Sequence, residues 1–553
     1  MAGFISVERL SLGPWQAFER TVQRLLLHLG FVDVDLVGQV GDAGADVVGE
    51  LKGVLWAAQA KFRSNGTLVG PDPVEEVTIA VDRYGAQVAV VVTNTGFTSS
   101  AVSAARRRSA DLGIPFYLWD GDWLLDRYRQ LTAFAHLRQE PRLYQSEAIA
   151  AIDEAIVQGR PNGLLLMATG LGKTRVAAGV IERWLIDHPK DECLVLVPSL
   201  GLVPQFEAAL WPYLSKHIST HVMTGSEKPA FEGGVTIATE QSMINRAFGS
   251  ASRYGLVIVD EAHHAPADVF RSLLLELAPT FLLGLTATPW RGDERELDEV
   301  FGEPTFSVSI VEGMQMGYLA RVDYRMLLDD IDWDWVHDQL HGAVTVRELN
   351  RKLFVPERDE AVVAKIGEHL SSLPKPRCIV FCRSIKHAEK IDRLLKADGF
   401  ASRALHSALD KKETTRILHA FRSGDLPILI TVDMLNEGID VPDVNLIVFL
   451  RVTHSRRIFI QQLGRGLRMA EGKQTVRVLD FVSDIRRIGA AMELNREAHE
   501  LADSSRSPVH YPTGQIVRFE NDHALSFFTE YLKDVAALDS EDDSALLKFP
   551  SPL

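Results

Sequence analysis

Over residues 1–130 the chain alternates between helical and strand-like spacing of apolar side chains. Trp15, Phe18, Val22, Leu25, Leu26 and Leu29 recur three or four residues apart, which predicts an amphipathic helix with one buried stripe. Apolar runs at 32–37, 45–48, 54–61, 87–93 and 115–119 read as strands, while 73–84 and 99–112 carry helical spacing. The polar stretch 138–142, with Pro141, marks a boundary. From Tyr144 to about residue 305 the pattern changes to short, wholly apolar strands separated by helices, at 163–167, 193–197, 235–238, 256–259 and 281–285. Strands without polar alternation are buried on both faces, which predicts a parallel sheet covered by helices. The stretch 371–377, holding Pro374 and Pro376, opens a second such block with strands at 378–381, 402–405, 427–431, 444–449 and 476–481.

The expected division is therefore a mixed α/β unit over 1–136, a first parallel-sheet domain over 137–325, a connecting segment over 326–370, a second parallel-sheet domain over 371–485 and an extension over 486–553. In that extension Phe527, Phe528 and Tyr531 suggest a packed helix, and the acidic tail from Asp539 reads as a mobile end. A length of 553 residues accommodates this number of domains.

Composition narrows the classes. With 46% hydrophobic and 24% charged residues, the chain is neither disordered nor fibrous. No uncharged apolar run approaches the roughly 18 residues of a membrane span, and the N-terminal residues lack the basic-then-apolar order of a secretory leader. Cys193, Cys378 and Cys382 are too few for a disulfide framework and have no second ligand pair at zinc spacing, so a cytoplasmic setting is expected. Net charge is 59 − 74 = −15. That excess slows encounter with nucleic acid without excluding it, because phosphate contact needs only local Lys and Arg.

The sharpest chemical signal is Met167-Ala168-Thr169-Gly170-Leu171-Gly172-Lys173-Thr174, which follows an apolar strand and precedes a helical pattern. Glycines there let backbone N–H groups converge on an anion at a helix N-terminus. Lys173 can reach the β- and γ-phosphates and the Thr174 hydroxyl can hold Mg²⁺. Val259-Asp260-Glu261-Ala262-His263-His264 then ends another buried strand with two carboxylates, at the edge where parallel sheets bind ligands. Asp260 is placed to hold Mg²⁺ and Glu261 to polarise an attacking water.

With these motifs in order, residues 138–485 resemble the DEAH-type helicases and translocases of superfamily 2. Arg142, Tyr144 and Gln145 resemble the adenine-side motif; Val197-Pro198 with Gln205, and Thr239-Glu240-Gln241, resemble the strand-tracking motifs; Thr286-Ala287-Thr288-Pro289 resembles the coupling motif. Phe381-Cys382-Arg383-Ser384, Leu405-His406-Ser407, and Thr431 through Asn436-Glu437-Gly438-Ile439-Asp440-Val441-Pro442 resemble motifs of the second domain. Gln461-Gln462-Leu463-Gly464-Arg465-Gly466-Leu467-Arg468 closes the set. The resemblance implies two RecA-like domains and ATP bound by Gln145, Thr169, Gly170, Gly172, Lys173, Thr174, Asp260, Gly438 and Asp440. Arg465 and Arg468, three apart on a helix, project from one face and by resemblance reach the transferring phosphoryl group, where guanidinium charge accelerates transfer.

The N-terminal unit carries a second constellation. Gly41-Asp42-Ala43-Gly44-Ala45-Asp46 leads into a strand, and Gln59-Ala60-Lys61 lies on the next one, with Gln59 and Lys61 on one face. An acid beside a polar-x-Lys pair can converge on a divalent metal that activates water for phosphodiester hydrolysis, with Lys61 stabilising negative charge. Together with Phe18-Glu19 and with Val91-Val92-Thr93-Asn94-Thr95-Gly96-Phe97-Thr98 followed by Ala101, this resembles the Mrr-like branch of the PD-(D/E)XK nucleases over residues 10–130. The resemblance implies a restriction-endonuclease-like fold in which Glu19 and Asp46 supply metal-binding carboxylates and Gln59 stands where most relatives of the wider fold carry an acid. A neutral amide is a weaker Mg²⁺ ligand than a carboxylate.

The combined expectation is an ATP-dependent DNA translocase or helicase with a Mg²⁺-dependent endonuclease domain, of restriction or anti-phage type. It would act on duplex DNA, with a separate methyltransferase or specificity subunit as a further partner and no membrane association. Two rivals stand beside it: a DNA-repair helicase whose N-terminal domain grips DNA without cutting, and a nucleotide-switched module that recruits effectors. Arg106-Arg107-Arg108 reads as a solvated face with the capacity to contact phosphates.

Overall fold

The N-terminal unit is built on one five-stranded sheet whose strands follow chain order: Val32–Leu36, Val47–Leu51, Val54–Lys61, Val88–Thr93 and Phe116–Trp119. The first three pair antiparallel and the last three parallel. Because successive strand residues point to opposite faces, Ala58, Ala60, Val90 and Val92 turn to one core with the helix Trp15–His28, while Ala57, Ala89 and Val91 turn to the other with the helices Asp72–Tyr84 and Ser99–Leu112. A computed structural model describes residues 3–37, 44–136, 138–244, 254–264, 268–287, 294–327, 343–345, 359–432, 443–450, 463–464, 466–470, 472–481, 517–519 and 546–548.

Two further sheets have seven strands each. One runs in the order Pro304–Val308, Asn162–Met167, Phe281–Thr286, Tyr254–Asp260, Glu192–Val197, Gly234–Thr239, Thr220–Met223, with parallel pairing across its last five. The central strands are sealed on both faces, as their largely apolar sequences require. The other runs Ser402–Leu405, Ile428–Thr431, Cys378–Cys382, Leu446–Leu450, Thr475–Phe481, Arg321–Leu327, Val517–Phe519 and is parallel throughout. Cys378 and Cys382 are buried on its third strand, where burial pushes both thiols up. By contact the described chain divides into two compact units, residues 1–165, 172–285 and 296–306 in one, and 166–171, 286–295 and 307–553 in the other.

Two expected boundaries meet a different arrangement. Residue 325 falls inside the strand Arg321–Leu327, which is hydrogen-bonded to Thr475–Phe481 in the second parallel sheet. The segment 326–370 includes the helix Asp359–Ser371, whose Val362, Val363, Ile366 and Leu370 pack into the second sheet's core. In both cases the local pattern shows the element and only long-range pairing shows its owner. Phe527, Phe528, Tyr531 and the acidic tail lie outside the described residues.

Candidate nucleotide and nuclease sites

The strand Asn162–Met167 ends in the loop, and the helix Lys173–Asp187 begins straight after it. Gly170 and Gly172 both hold φ near +90°, a left-handed conformation that favours glycine. A Cβ on Gly172 would lie 2.7 Å from Gln145 Nε2, so the loop closes directly over that side chain. Gln145 is fixed in turn: its Oε1 accepts from the Arg142 backbone N–H at 3.0 Å and its Nε2 lies 3.3 Å from Tyr144 Oη. Lys173 Nζ stands 3.9 Å from Glu261 Oε1, at the C-terminal edge of the strand Tyr254–Asp260. Glu261 has φ of +50°, strain that a non-glycine residue keeps only where its surroundings impose it. Its Oε2 is buried without a hydrogen bond among the described residues, 3.4 Å from His263 Nδ1. A glycine cradle, an adjacent lysine, and a carboxylate oxygen short of a donor together fit a triphosphate with its water.

Other expected residues occupy the following places. Thr174 opens the helix and Asp260 closes its strand. Thr239 Oγ1 lies 2.8 Å from Ser242 Oγ, and burial raises the Glu240 carboxyl. Ser384 caps the helix Ile385–Ala397 by accepting from His387 N–H at 3.2 Å. Within the unit that includes residues 166–171, a Cβ on Gly464 would lie 2.6 Å from Thr169 Cβ, and one on Gly170 would lie 3.3 Å from Arg468 Cγ. Arg468 pairs with Leu319 in an isolated bridge. Lys473, close by, is pushed down to about 7 by burial, opposed by Asp443 and assisted by Arg468. Arg465, Gly438, Asp440, Thr288 and Pro289 lie outside the described residues.

In the N-terminal unit Asp46 Oδ2 accepts from Gln59 Nε2 at 2.5 Å and from the Ala60 backbone N–H at 2.7 Å. Lys61 Nζ makes a 2.7 Å ion pair with Glu76 Oε2 on the helix Asp72–Tyr84. Strand alternation explains the grouping, since Gln59 and Lys61 share the face of Ala57, which that helix covers. Gly44 permits the close approach: a Cβ there would lie within 1.6 Å of the Glu76 carbonyl oxygen. Glu19 is largely buried and comes from the helix packed on the opposite face. Among the described residues no three His, Cys, Asp or Glu side chains form a metal-sized group. Mg²⁺ often takes only one or two protein carboxylates and keeps its waters, so Asp46 beside the Gln59 amide fits such an ion. Glu76 was missed at the sequence level because a helical glutamate three residues after Pro73 has no spacing signal toward Lys61. Arg108 pairs with Glu75, leaving Arg106 and Arg107 as the exposed members of that run.

Comparison with known proteins agrees segment by segment. Residues 11–128 match the family described as restriction endonuclease, residues 138–291 the type III restriction enzyme res subunit, and residues 361–470 the helicase conserved C-terminal domain. The DNA 3'-5' translocase XPB2 of Sulfurisphaera tokodaii is 26% identical over 364 residues, covering 60% of this chain and 79% of that one. The type I restriction enzyme EcoAI endonuclease subunit of Escherichia coli is 28% identical over 380 residues, covering 62% and 46%. A solved structure titled ATP-dependent Type ISP restriction-modification enzyme LlaBIII bound to DNA superimposes with a TM-score of 0.53 at 17% identity, over 98% of this chain and 43% of that one, a likeness of fold. The chain thus spans 46% to 79% of the length of these two curated relatives. No described helix is long and apolar enough to cross a membrane.

Proposed function

We propose that this chain, which joins a restriction-endonuclease domain to the two parts of a helicase motor, is an ATP-driven DNA translocase that cuts DNA with its N-terminal domain. The observation that carries the reading is the facing pair of Lys173 Nζ and Glu261 Oε1, 3.9 Å apart at the end of the glycine loop, with Glu261 Oε2 buried and without a hydrogen bond among the described residues. Bound ATP and Mg²⁺ supply the transferable phosphoryl group and neutralise its charge. Gln145 holds the adenine side, the backbone around Thr169, Gly170 and Gly172 cradles the phosphates, and Lys173 neutralises their terminal oxygens. Thr174 and Asp260 hold the metal and Glu261 orients water. Arg465 and Arg468 stabilise developing charge, with Gly438 and Asp440 as further nucleotide contacts. A Glu261→Gln protein should bind nucleotide and lose DNA-stimulated phosphate release; retained turnover would remove the assignment.

In the nuclease domain, Asp46 and Glu19 would hold Mg²⁺, which would supply activation of water for phosphodiester hydrolysis, while Gln59 would orient Asp46 and Lys61 would stabilise developing negative charge. A second reading, a domain that grips DNA without cutting, is favoured by one feature: Lys61 is already paired with Glu76, and Gln59 contributes no charge. Incubating the protein with ATP, Mg²⁺ and parallel samples of methylated, unmodified and foreign duplex DNA separates the readings. Selective cutting supports restriction or anti-phage defence in the cytoplasm beside a separate methyltransferase or specificity subunit. Hydrolysis of ATP with intact DNA supports the gripping domain.

A further inference from the structure

The helix Trp15–His28 is buried on two sides. Phe18, Val22, Leu25 and Leu26 face the nuclease core, and Arg20 and Arg24, four residues apart on another face, enter the first motor domain. Arg20 is fully engaged: Nε donates to Glu207 Oε2 at 2.7 Å, and Nη1 and Nη2 donate to the two oxygens of Glu227 at 2.9 and 2.5 Å. Glu207 is also held by the Thr220 hydroxyl at 2.6 Å, and Thr220 by Trp211 Nε1 at 2.9 Å. A second fastening is reciprocal. Arg24 of the nuclease donates to the carbonyls of Ile218 and Ser215 at 2.9 and 3.1 Å, while Lys216 of the motor donates to those of Tyr128 and Leu131 at 3.0 and 2.6 Å.

Buried ion pairs of this kind add little net stability compared with apolar packing, yet breaking one partner out is costly, so their effect is to fix a register. A domain seated through Arg20, Arg24 and Lys216 is held in one orientation. What it is held against is the helix Leu202–Leu210, which bears Gln205 on its exposed side and Glu207 on its buried side. Gln205 belongs to the expected strand-tracking motif, and Arg20 is the chain neighbour of Glu19.

We infer that Arg20 is a positioning residue that ties the nuclease site to the strand-tracking helix through Glu207 and Glu227, so that the motor sets where along the DNA the cut falls. The inference rests on the nuclease-motor reading above. The test uses the full chain on linear duplex DNA with a tightly bound protein as a roadblock, together with ATP and Mg²⁺. Wild type should cut in a narrow window at a constant offset from the roadblock. Arg20→Ala and, separately, Glu207→Gln should keep DNA-stimulated ATPase within about twofold while cutting loses its fixed offset and slows on the order of tenfold or more, as misplacement of about 1 Å can do. Slower cutting at an unchanged offset would mean a merely structural role and overturns the inference.

Amide hydrogen exchange across residues 15–28 gives a readout that does not need cutting. Added DNA and nucleotide should change protection in wild type and leave both variants unmoved; identical responses in all three proteins overturn the coupling. Wild type that never cuts removes the nuclease reading, and the exchange comparison then still decides the coupling. Should Arg20→Ala fail to fold, Glu207→Gln, which keeps the side-chain shape, decides by the same two readouts.

Discussion

The two candidate phosphate sites each set a lysine against a glutamate, and the spacing differs. At the motor loop Lys173 Nζ and Glu261 Oε1 stand 3.9 Å apart, and Glu261 Oε2, beside His263, has no hydrogen bond among the described residues. In the nuclease domain Lys61 is in direct contact with Glu76 at 2.7 Å and Asp46 is bonded to Gln59 and the Ala60 backbone. The first arrangement leaves its charges to be completed by a ligand. The second satisfies its charges internally, so a metal and a phosphodiester must compete with contacts already made. Two left-handed glycines set the backbone of the motor loop, whereas the nuclease cluster is assembled from side chains.

The largest effect is expected where the open site loses its cation. Lys173→Ala should lower DNA-stimulated ATPase on the order of a thousandfold, since charge on the transferring phosphoryl group loses a fixed neutralising partner. Phosphate release measured with saturating duplex DNA checks this, and activity within tenfold of wild type would end the comparison by showing that Lys173 has no privileged role.

Next in size, Lys61→Ala should reduce plasmid cutting on the order of a hundredfold with ATPase unchanged. Unchanged cutting would make the domain a grip, and a parallel fall in ATPase would show that the two sites are not separable in the way their geometry suggests.

The candidate motor site is legible in the sequence because its proposed parts are local: one loop carries the glycines, Lys173 and Thr174, and one strand end carries Asp260 and Glu261. The strands Val54–Lys61 and Ser402–Leu405 appear with the expected ends. Less was readable where meaning depends on a distant partner. Arg20 and Arg24 look like the solvated side of an amphipathic helix, and only the fold places them against Glu207 and the carbonyls of residues 215 and 218. The strand Arg321–Leu327 has polar alternation at Arg321, Asp323 and Arg325, which hid its place in a parallel sheet. Glu76 likewise gained its role from Gly44 letting the loop press onto its helix.

A smaller effect probes the seat that joins the nuclease to the motor. His28 is buried, stacks on Phe4 at 5.2 Å, and is pushed down to about 3 by burial first and then by Arg24, Lys216 and His136. The unfolded imidazole titrates near 6.5, so the unfolded chain binds the proton first as pH falls. The stability tied to neutral His28 is therefore complete above about pH 6.5 and is lost as pH drops from there toward 3, by roughly 1.4 kcal/mol per unit. His28→Phe keeps the stacking and removes the titration. Between pH 6.5 and 5 the variant should retain about 2 kcal/mol that wild type loses, read from urea midpoints at the two pH values. Parallel pH profiles would show that the ring stays accessible to protons.

The smallest expected change is also the one that discriminates most finely between the two sites. Glu76→Gln preserves shape and removes the charge facing Lys61. A half-exposed ion pair is worth about 1 kcal/mol or less, so if Glu76 only orients Lys61, cutting at saturating Mg²⁺ should shift by no more than about fivefold with ATPase unchanged. Titration of Mg²⁺ against cutting rate gives the second coordinate. An unchanged midpoint keeps Glu76 in the orienting role, because the ion would then be held by Asp46 and Glu19 without it. A loss of a hundredfold accompanied by a raised midpoint would instead make Glu76 a metal carboxylate, supplying on the helix the charge that Gln59 lacks on the strand. In that case the nuclease site is closed only in the absence of its metal, and its contrast with the motor loop narrows to the order in which the charges are assembled.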